Sequence, residues 1–205
     1  DLLDTPADPD HDFSSLQYLF YGGAPTAPAK LRMAIKRFGP VFAQVYGQVE
    51  VGGGAAMLTP SDHVVDEEIA GDERLGSAGR AMPFVRIEVM ADDDSGRLLP
   101  HGELGEVVMR GQGVMLGYYK DPAGSEDIQR HGWLHTQDIG YRDAEGFIHI
   151  VDRKRDMIIS GGFNIYSVEV EHAALAHPAV LECAAIGVPD PRWGEAVKLL
   201  ARLKP

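Results

Sequence analysis

Three short groups of residues combine side-chain type and spacing in ways that could do chemistry. Asp138 follows Thr136-Gln137, and Asp152-Arg153-Lys154-Arg155-Asp156 sets three cations between two carboxylates. Ser160-Gly161-Gly162 closes the apolar run that comes next. A carboxylate accepts hydrogen bonds from hydroxyls, and a guanidinium forks onto anionic oxygens. Glycine lets backbone pass close to a ligand. Taken singly, a charged cluster of this kind is usually a solvated turn. His131 and His135 stand four apart, a spacing that makes a metal pair on a helix, but they flank Gly132-Trp133, which does not read as helical. No Ser-His-Asp or Cys-His nucleophile arrangement is readable.

The elements that must position these groups follow from periodicity and turn residues. A loop is expected over 1–12 and a strand over 16–21, which runs into Gly22-Gly23-Ala24-Pro25. Thr26 is placed to cap a helix over 28–38 with Leu31, Ile35 and Phe38 on one face. A second strand over 41–46 runs into Tyr46-Gly47-Gln48-Val49-Glu50, and a strand followed by a glycine turn and a helix makes a ligand-binding corner. No GxxxxGK[ST] follows either strand. Residues 59–74 read as an acidic surface excursion. Strands are expected over 85–90 and 106–110, with Asp92-Asp93-Asp94-Ser95-Gly96 as a turn, so these paired acids are turn formers. Trp133 opens an apolar run that turns at residues 142–146 and returns over 147–151. Beyond residue 156, a strand over 157–159, a helix over 168–176 and strands over 180–188 and 196–203 make an α+β unit.

The chain has 205 residues, 44% hydrophobic and 24% charged, which suits one or two ordinary globular domains. A net charge of −12 and pI near 5.0 argue against nonspecific nucleic-acid binding, which depends on neutralising phosphates. Cys183 is the single cysteine, so no internal disulfide forms; we expect a buried, inert thiol and a reducing, cytoplasmic compartment. No apolar stretch approaches the roughly 20 residues of a membrane span.

From about Ser15 to Leu203, in register, the order of these motifs resembles the adenylate-forming acyl-CoA synthetase family. Tyr46-Gly47-Gln48-Val49-Glu50 is similar to its YGxTE box, GELGEV and MLGYYKDP to its small barrel-like subdomain, and Pro189 to Glu195 to its lid turn. The resemblance implies an α/β fold with that subdomain, residues 1–155 belonging to the large AMP-binding domain and 156–205 to a partial α+β lid. It implies a carboxylate that is first adenylated by ATP and then passed to coenzyme A, as in an acid–thiol ligase, with Mg2+ required. The substrate expected is a fatty acid, because Val51-Gly52-Gly53-Gly54-Ala55-Ala56 would line an acyl pocket in which glycines leave volume.

By the same resemblance Gly22, Gly23, Ala24 and Pro25 with Tyr46, Gly47, Gln48 and Val49 bind nucleotide, Tyr46 packing on adenine. Glu50 helps hold magnesium, Asp138 grips the ribose hydroxyls, and Arg153 reaches ribose and phosphate; Glu50 and Arg153 are the residues expected in catalysis. Arg155 is the hinge of the lid, Gly161 and Gly162 line the pantetheine tunnel, and Trp193 faces coenzyme A. An aromatic face suits a base, and a hard carboxylate oxygen suits magnesium. Three positions depart from the pattern: Val49 replaces threonine, Gln137 replaces the glycine of TGD, and Ser167 stands where proline is common. The family's phosphate loop would precede Asp1 and its lid lysine would follow Pro205, so the chain is expected to be a fragment that is inactive alone. A relative that loads a carrier protein, and an inactive nucleotide-binding fragment, are the alternative readings.

Overall fold

A computed structural model describes residues 3, 12–24 and 26–204; nearly all of the loop expected over 1–12 lies outside these residues, as does Pro25. Strand β1 (Leu19–Gly22), helix α1 (Pro28–Phe38) and strand β2 (Phe42–Tyr46) form the first unit, with β1 parallel to β2 from Leu19 opposite Phe42 to Gly22 opposite Val45. The first strand begins at Leu19 and not at residue 16, because Leu16 N–H donates to Phe13 C=O and closes a turn there. Thr26 is not the cap of α1: the N-cap is Ala27, without a side-chain bond, and Pro28 starts the helix by fixing φ where no N–H partner is needed. Leu31, Ala34 and Ile35 give α1 its buried face.

The chain continues through β3 (Ala56–Leu58), α2 (Pro60–His63), the hairpin β4 (Val64–Val65) and β5 (Glu68–Ile69), α3 (Asp72–Leu75) and β6 (Arg80–Ala81). The first sheet has the order β1-β2-β3-β6. Residues 59–74 are not purely a surface excursion. His63 is fully buried, between the Tyr21 hydroxyl at 2.8 Å and the Thr59 carbonyl at 2.7 Å, and buried Asp62 accepts from Thr59 N–H and pairs with Arg80 at 2.7 Å. Polar side chains stay inside here because each has a partner.

Strands β7 (Val85–Met90), β8 (Gly105–Gly111), β9 (Gln129–Arg130), β10 (Trp133–Arg142) and β11 (Ile148–Arg153), with helix α4 (Pro122–Ile128) before β9, form an open antiparallel sheet ordered β11-β10-β8-β7, with β9 on β10. The β10–β11 turn is set by Asp143, whose Oδ1 accepts the Glu145 and Phe147 N–H groups at 2.9 Å. Ala55, Ala56 and Ala78 from the first part of the chain pack with Ile87, Val107, Met109, Leu134 and Ile148 of this sheet in one core. Fully burying a side chain such as Leu134 contributes about 1.5–3 kcal/mol, so the two sheets hold each other in place.

The remaining elements are β12 (Ile158–Ser160), β13 (Phe163–Ile165), α5 (Ser167–Leu175), β14 (Val180–Asp190) and β15 (Gly194–Leu203), in a sheet ordered β13-β12-β15-β14. Cys183 is half-buried, not buried, because β14 faces α5 on one side only, and its thiol reaches the Glu171 carbonyl at 3.5 Å. Among the described residues no helix is long and apolar enough to cross a membrane.

Candidate functional site

Parallel β1 and β2 end at the same sheet edge, which brings the exposed turn Gly22, Gly23 and Ala24 beside Tyr46 and the segment after it. At Gly47 a Cβ would lie 1.8 Å from the Gly53 carbonyl oxygen, so no other residue allows the chain to fold back on itself there. That fold-back turns Gln48 towards β10. Val49, in a one-turn helix over Val49–Val51, is left 89% exposed.

Asp138 is the point on which these residues converge. It is 4% exposed, and its Oδ2 accepts the Tyr46 hydroxyl at 2.7 Å and the Gln48 amide at 3.4 Å. Gln48 also donates to the Thr136 carbonyl at 2.7 Å. Arg153 stands directly opposite Asp138 in the β10–β11 register, with Nε 3.4 Å from Oδ1 and more than half of its side chain exposed. Burial pushes the Asp138 carboxyl above its ordinary value, and the Tyr46, Arg153 and Gln48 contacts only partly oppose that. Burial, with the nearby Asp138 charge, raises the Tyr46 hydroxyl further out of the titrating range, so it donates to the carboxylate at neutral pH. Tyr46 therefore meets Asp138 through its oxygen while its ring packs on the core.

Glu106 is a site residue that no single motif revealed. It is buried on β8, with one oxygen accepting the Gln137 N–H at 3.1 Å and the other 3.1 Å from His135 Nδ1 and 3.6 Å from Lys154 Nζ. Lys154 also pairs with Asp92, so the expected turn-forming acid anchors the cation beside Arg153. Only the register of β8 on β10 brings Glu106 under Gln137 and Asp138.

Gln137 lies where β10 bulges, at φ 61°, a left-handed conformation that glycine adopts freely. Its side chain is exposed, so replacing it loses no packing. Gln137→Gly is expected to raise stability by roughly 0.5–1 kcal/mol, the relieved strain exceeding the added unfolded-state entropy. Urea denaturation checks this, and an unchanged or lower midpoint would mean that the bulge carries no strain.

Glu50 is half-exposed, and its Oε1 accepts the Tyr118 hydroxyl at 2.8 Å. Among the described residues no three His, Cys, Asp or Glu side chains are grouped to hold a metal; His131 lies 3.5 Å from Asp94 and His135 lies 3.1 Å from Glu106. A lone carboxylate with a free oxygen does fit magnesium, which keeps most of its ligands from water and phosphate oxygens. Of the glycines expected to open an acyl pocket, Gly54 leaves no room, since a Cβ there would lie 2.8 Å from Val45 Cγ1 and 3.3 Å from Met82; Gly53 faces open space. Ala55 and Ala56 are core residues.

Gly161, Gly162 and Trp193 form a second cluster in the C-terminal sheet. The two glycines make the β12–β13 turn with φ 59° and 84°, the pairing a two-residue hairpin turn requires. Gly161 N–H donates to the Trp193 carbonyl at 2.8 Å, and a Cβ at Gly161 would lie 2.6 Å from the indole, which is 48% exposed. Arg155 lies in the turn after β11, with its Nε 3.6 Å from Asp156.

Residues 1–119 match the model of the AMP-binding enzyme family, and residues 169–205 match that of the AMP-binding enzyme C-terminal domain. The chain is 41% identical over 203 residues to a medium/long-chain-fatty-acid–CoA ligase of Mycobacterium tuberculosis, covering 99% of this chain and 34% of that protein. It is 44% identical over 187 residues to a feruloyl-CoA synthase of an Amycolatopsis species, covering 91% of this chain and 36% of that protein. The o-succinylbenzoate CoA synthetase of Bacillus subtilis, solved with its acyl-adenylate intermediate, superposes with a TM-score of 0.83 at 33% identity, over 100% of this chain and 39% of that one. The chain thus spans about a third of the length of the curated relatives it matches. With the AMP-binding enzyme model matched over more than half of the chain and the C-terminal-domain model matched after it, the chain belongs to the AMP-binding enzyme family.

Proposed function

We propose that the chain is part of an ATP-dependent acyl-CoA synthetase, with residues 1–155 from its large domain and 156–205 from a lid that turns about Arg155. The observation that carries this reading is the convergence on one buried carboxylate, Asp138, of Tyr46 at the end of β2, Gln48 just after it and Arg153 of β11. A carboxylate accepts two hydrogen bonds from a cis-diol, so Asp138 holds the ribose hydroxyls of ATP or AMP, exchanging the Tyr46 and Gln48 donors for those of the sugar. The exposed part of Arg153 reaches the ribose and the α-phosphate. Gly22, Gly23, Ala24 and Pro25, with Gly47 and Val49, border the rest of the nucleotide.

In the first step a substrate carboxylate oxygen attacks the α-phosphorus and the bond to pyrophosphate breaks, giving an acyl-adenylate. In the second the coenzyme A sulfur attacks the acyl carbon and the bond to AMP breaks. Arg153 stabilises charge on the phosphate oxygens in both. Glu50 would hold Mg2+, held in turn by Tyr118, and the ion would neutralise phosphate charge. Gly161, Gly162 and Trp193 take the pantetheine arm in the second step. A medium or long acyl group is the favoured acid, on the fatty-acid relative and the open space at Gly53. Family members named as CoA ligase and CoA synthase support coenzyme A as the acceptor.

Titration of the chain with AMP by calorimetry tests the reading, and absence of binding would remove it. The same measurement on Val49→Thr is expected to show about tenfold tighter AMP, one added hydrogen bond to a charged phosphate being worth about 1.5 kcal/mol. Unchanged affinity would detach Val49 from the phosphate.

A further inference from the structure

Alternation along β11 sends Arg153 to the Asp138 face and the preceding residue, Asp152, to the other. Asp152 is buried, and its carboxylate leaves the sheet it belongs to. Its Oδ2 accepts Ser167 N–H at 2.5 Å and Ser167 Oγ–H at 3.0 Å, while its Oδ1 lies 3.2 Å from the same hydroxyl and accepts Arg153 N–H at 2.7 Å. Ser167 is buried too, and it is the first residue of α5. Tyr166, the N-cap of that helix, supplies no side-chain bond. The first turn of α5 is therefore capped by a carboxylate fifteen residues earlier, on the far side of the turn at residues 154–156. A negative charge at a helix N-terminus is favourable, and a buried one without those donors is costly.

We infer that Asp152 and Ser167 are positioning residues that latch the C-terminal unit to the end of β11 in one orientation. One partner precedes Arg155 and the other comes after it, so a rotation about Arg155 separates them and exposes both the carboxylate and the first N–H of α5. The latch then sets how often the unit leaves the observed orientation, and with it the balance between the two steps of the reaction. This rests on the proposed hinge at Arg155.

Ser167→Pro removes both donors and keeps the helix start, because proline suits the first helical position and Tyr166, at φ −84° and ψ 122°, already has the extended backbone that a following proline requires. Ser167→Ala removes the hydroxyl alone. Limited trypsin digestion, read by intact-mass spectrometry, reports opening as cleavage after Arg153, Lys154 and Arg155, since cleavage tracks the open population. Cleavage there is expected to rise about tenfold in Ser167→Ala, from the loss of one hydrogen bond to a charged group, and about 100-fold in Ser167→Pro, from the loss of two. A rate equal to wild type in Ser167→Pro, or an acceleration shared equally by Arg86 and Arg110 in the preceding sheet, would overturn the latch. The readout needs no nucleotide. A chain that fails to bind AMP yet shows the expected rise in cleavage loses the nucleotide reading and keeps the latch, and one that binds AMP with unchanged cleavage keeps that reading and loses the latch.

Discussion

Asp138→Ala is expected to weaken AMP by about 100-fold, and 2′,3′-dideoxy-AMP by far less, when both are titrated by calorimetry. Each ribose hydroxyl donates to a charged acceptor, a bond worth about 1.5–3 kcal/mol, and losing two at the low end already gives a factor near 100. The dideoxy ligand makes neither bond, so the mutation weakens it only through local rearrangement of the pocket. Asp138 is suited to the exchange because its present partners are neutral hydroxyl and amide donors and a half-exposed guanidinium, all of which can move aside. Burial raises its carboxyl, so AMP affinity is also expected to fall, on acidification, at a higher pH than for an ordinary aspartate of pKa 3.8. Equal losses for the two ligands in Asp138→Ala would remove the ribose assignment.

Glu106→Ala is expected to destabilise the fold by about 3–5 kcal/mol, the usual consequence of removing one member of a buried charged pair. It would leave buried His135 and the Gln137 N–H without their acceptor and release Lys154 from one of two carboxylates. Burial pushes the Glu106 carboxyl up, but the hydrogen bond and charge of His135, the charge of Lys154 and the Gln137 N–H outweigh it and hold the group below the ordinary value of 4.5. A lowered folded-state pKa gives stability that is fully present above 4.5 and is lost as pH falls through the folded value. The stability difference between wild type and Glu106→Gln, from urea denaturation, should therefore shrink on acidification below pH 4.5. A difference that is constant across that range would mean that the fold does not lower the Glu106 carboxyl.

Local rules fixed much of the architecture. The β10–β11 hairpin, the β7 and β8 strands, helix α1 and the elements after Arg155 other than β13 were legible because hydrophobic period and turn residues are short-range properties. Asp143 at its turn and Gly161-Gly162 at theirs dictate backbone geometry within a few residues. Asp138 and Arg153 were named together only through the family resemblance, and it is the β10–β11 register that sets them opposite each other.

Contacts between distant stretches were decided only by tertiary structure. Tyr46 and Asp138 are 92 positions apart, so nothing local shows that the tyrosine hydroxyl, and not its ring face, meets the carboxylate. Glu106 looked like one acid in a GELGEV stretch until strand register set it beneath Gln137, and Gly54 looked like free volume until Val45 and Met82 filled it. Ser167 read as a departure from proline, whereas the folded chain gives it Asp152 as a partner. The reason is physical: spacing along a strand or helix is a property of the backbone, while the partner of a buried polar group depends on which sheet face it meets once the core has closed.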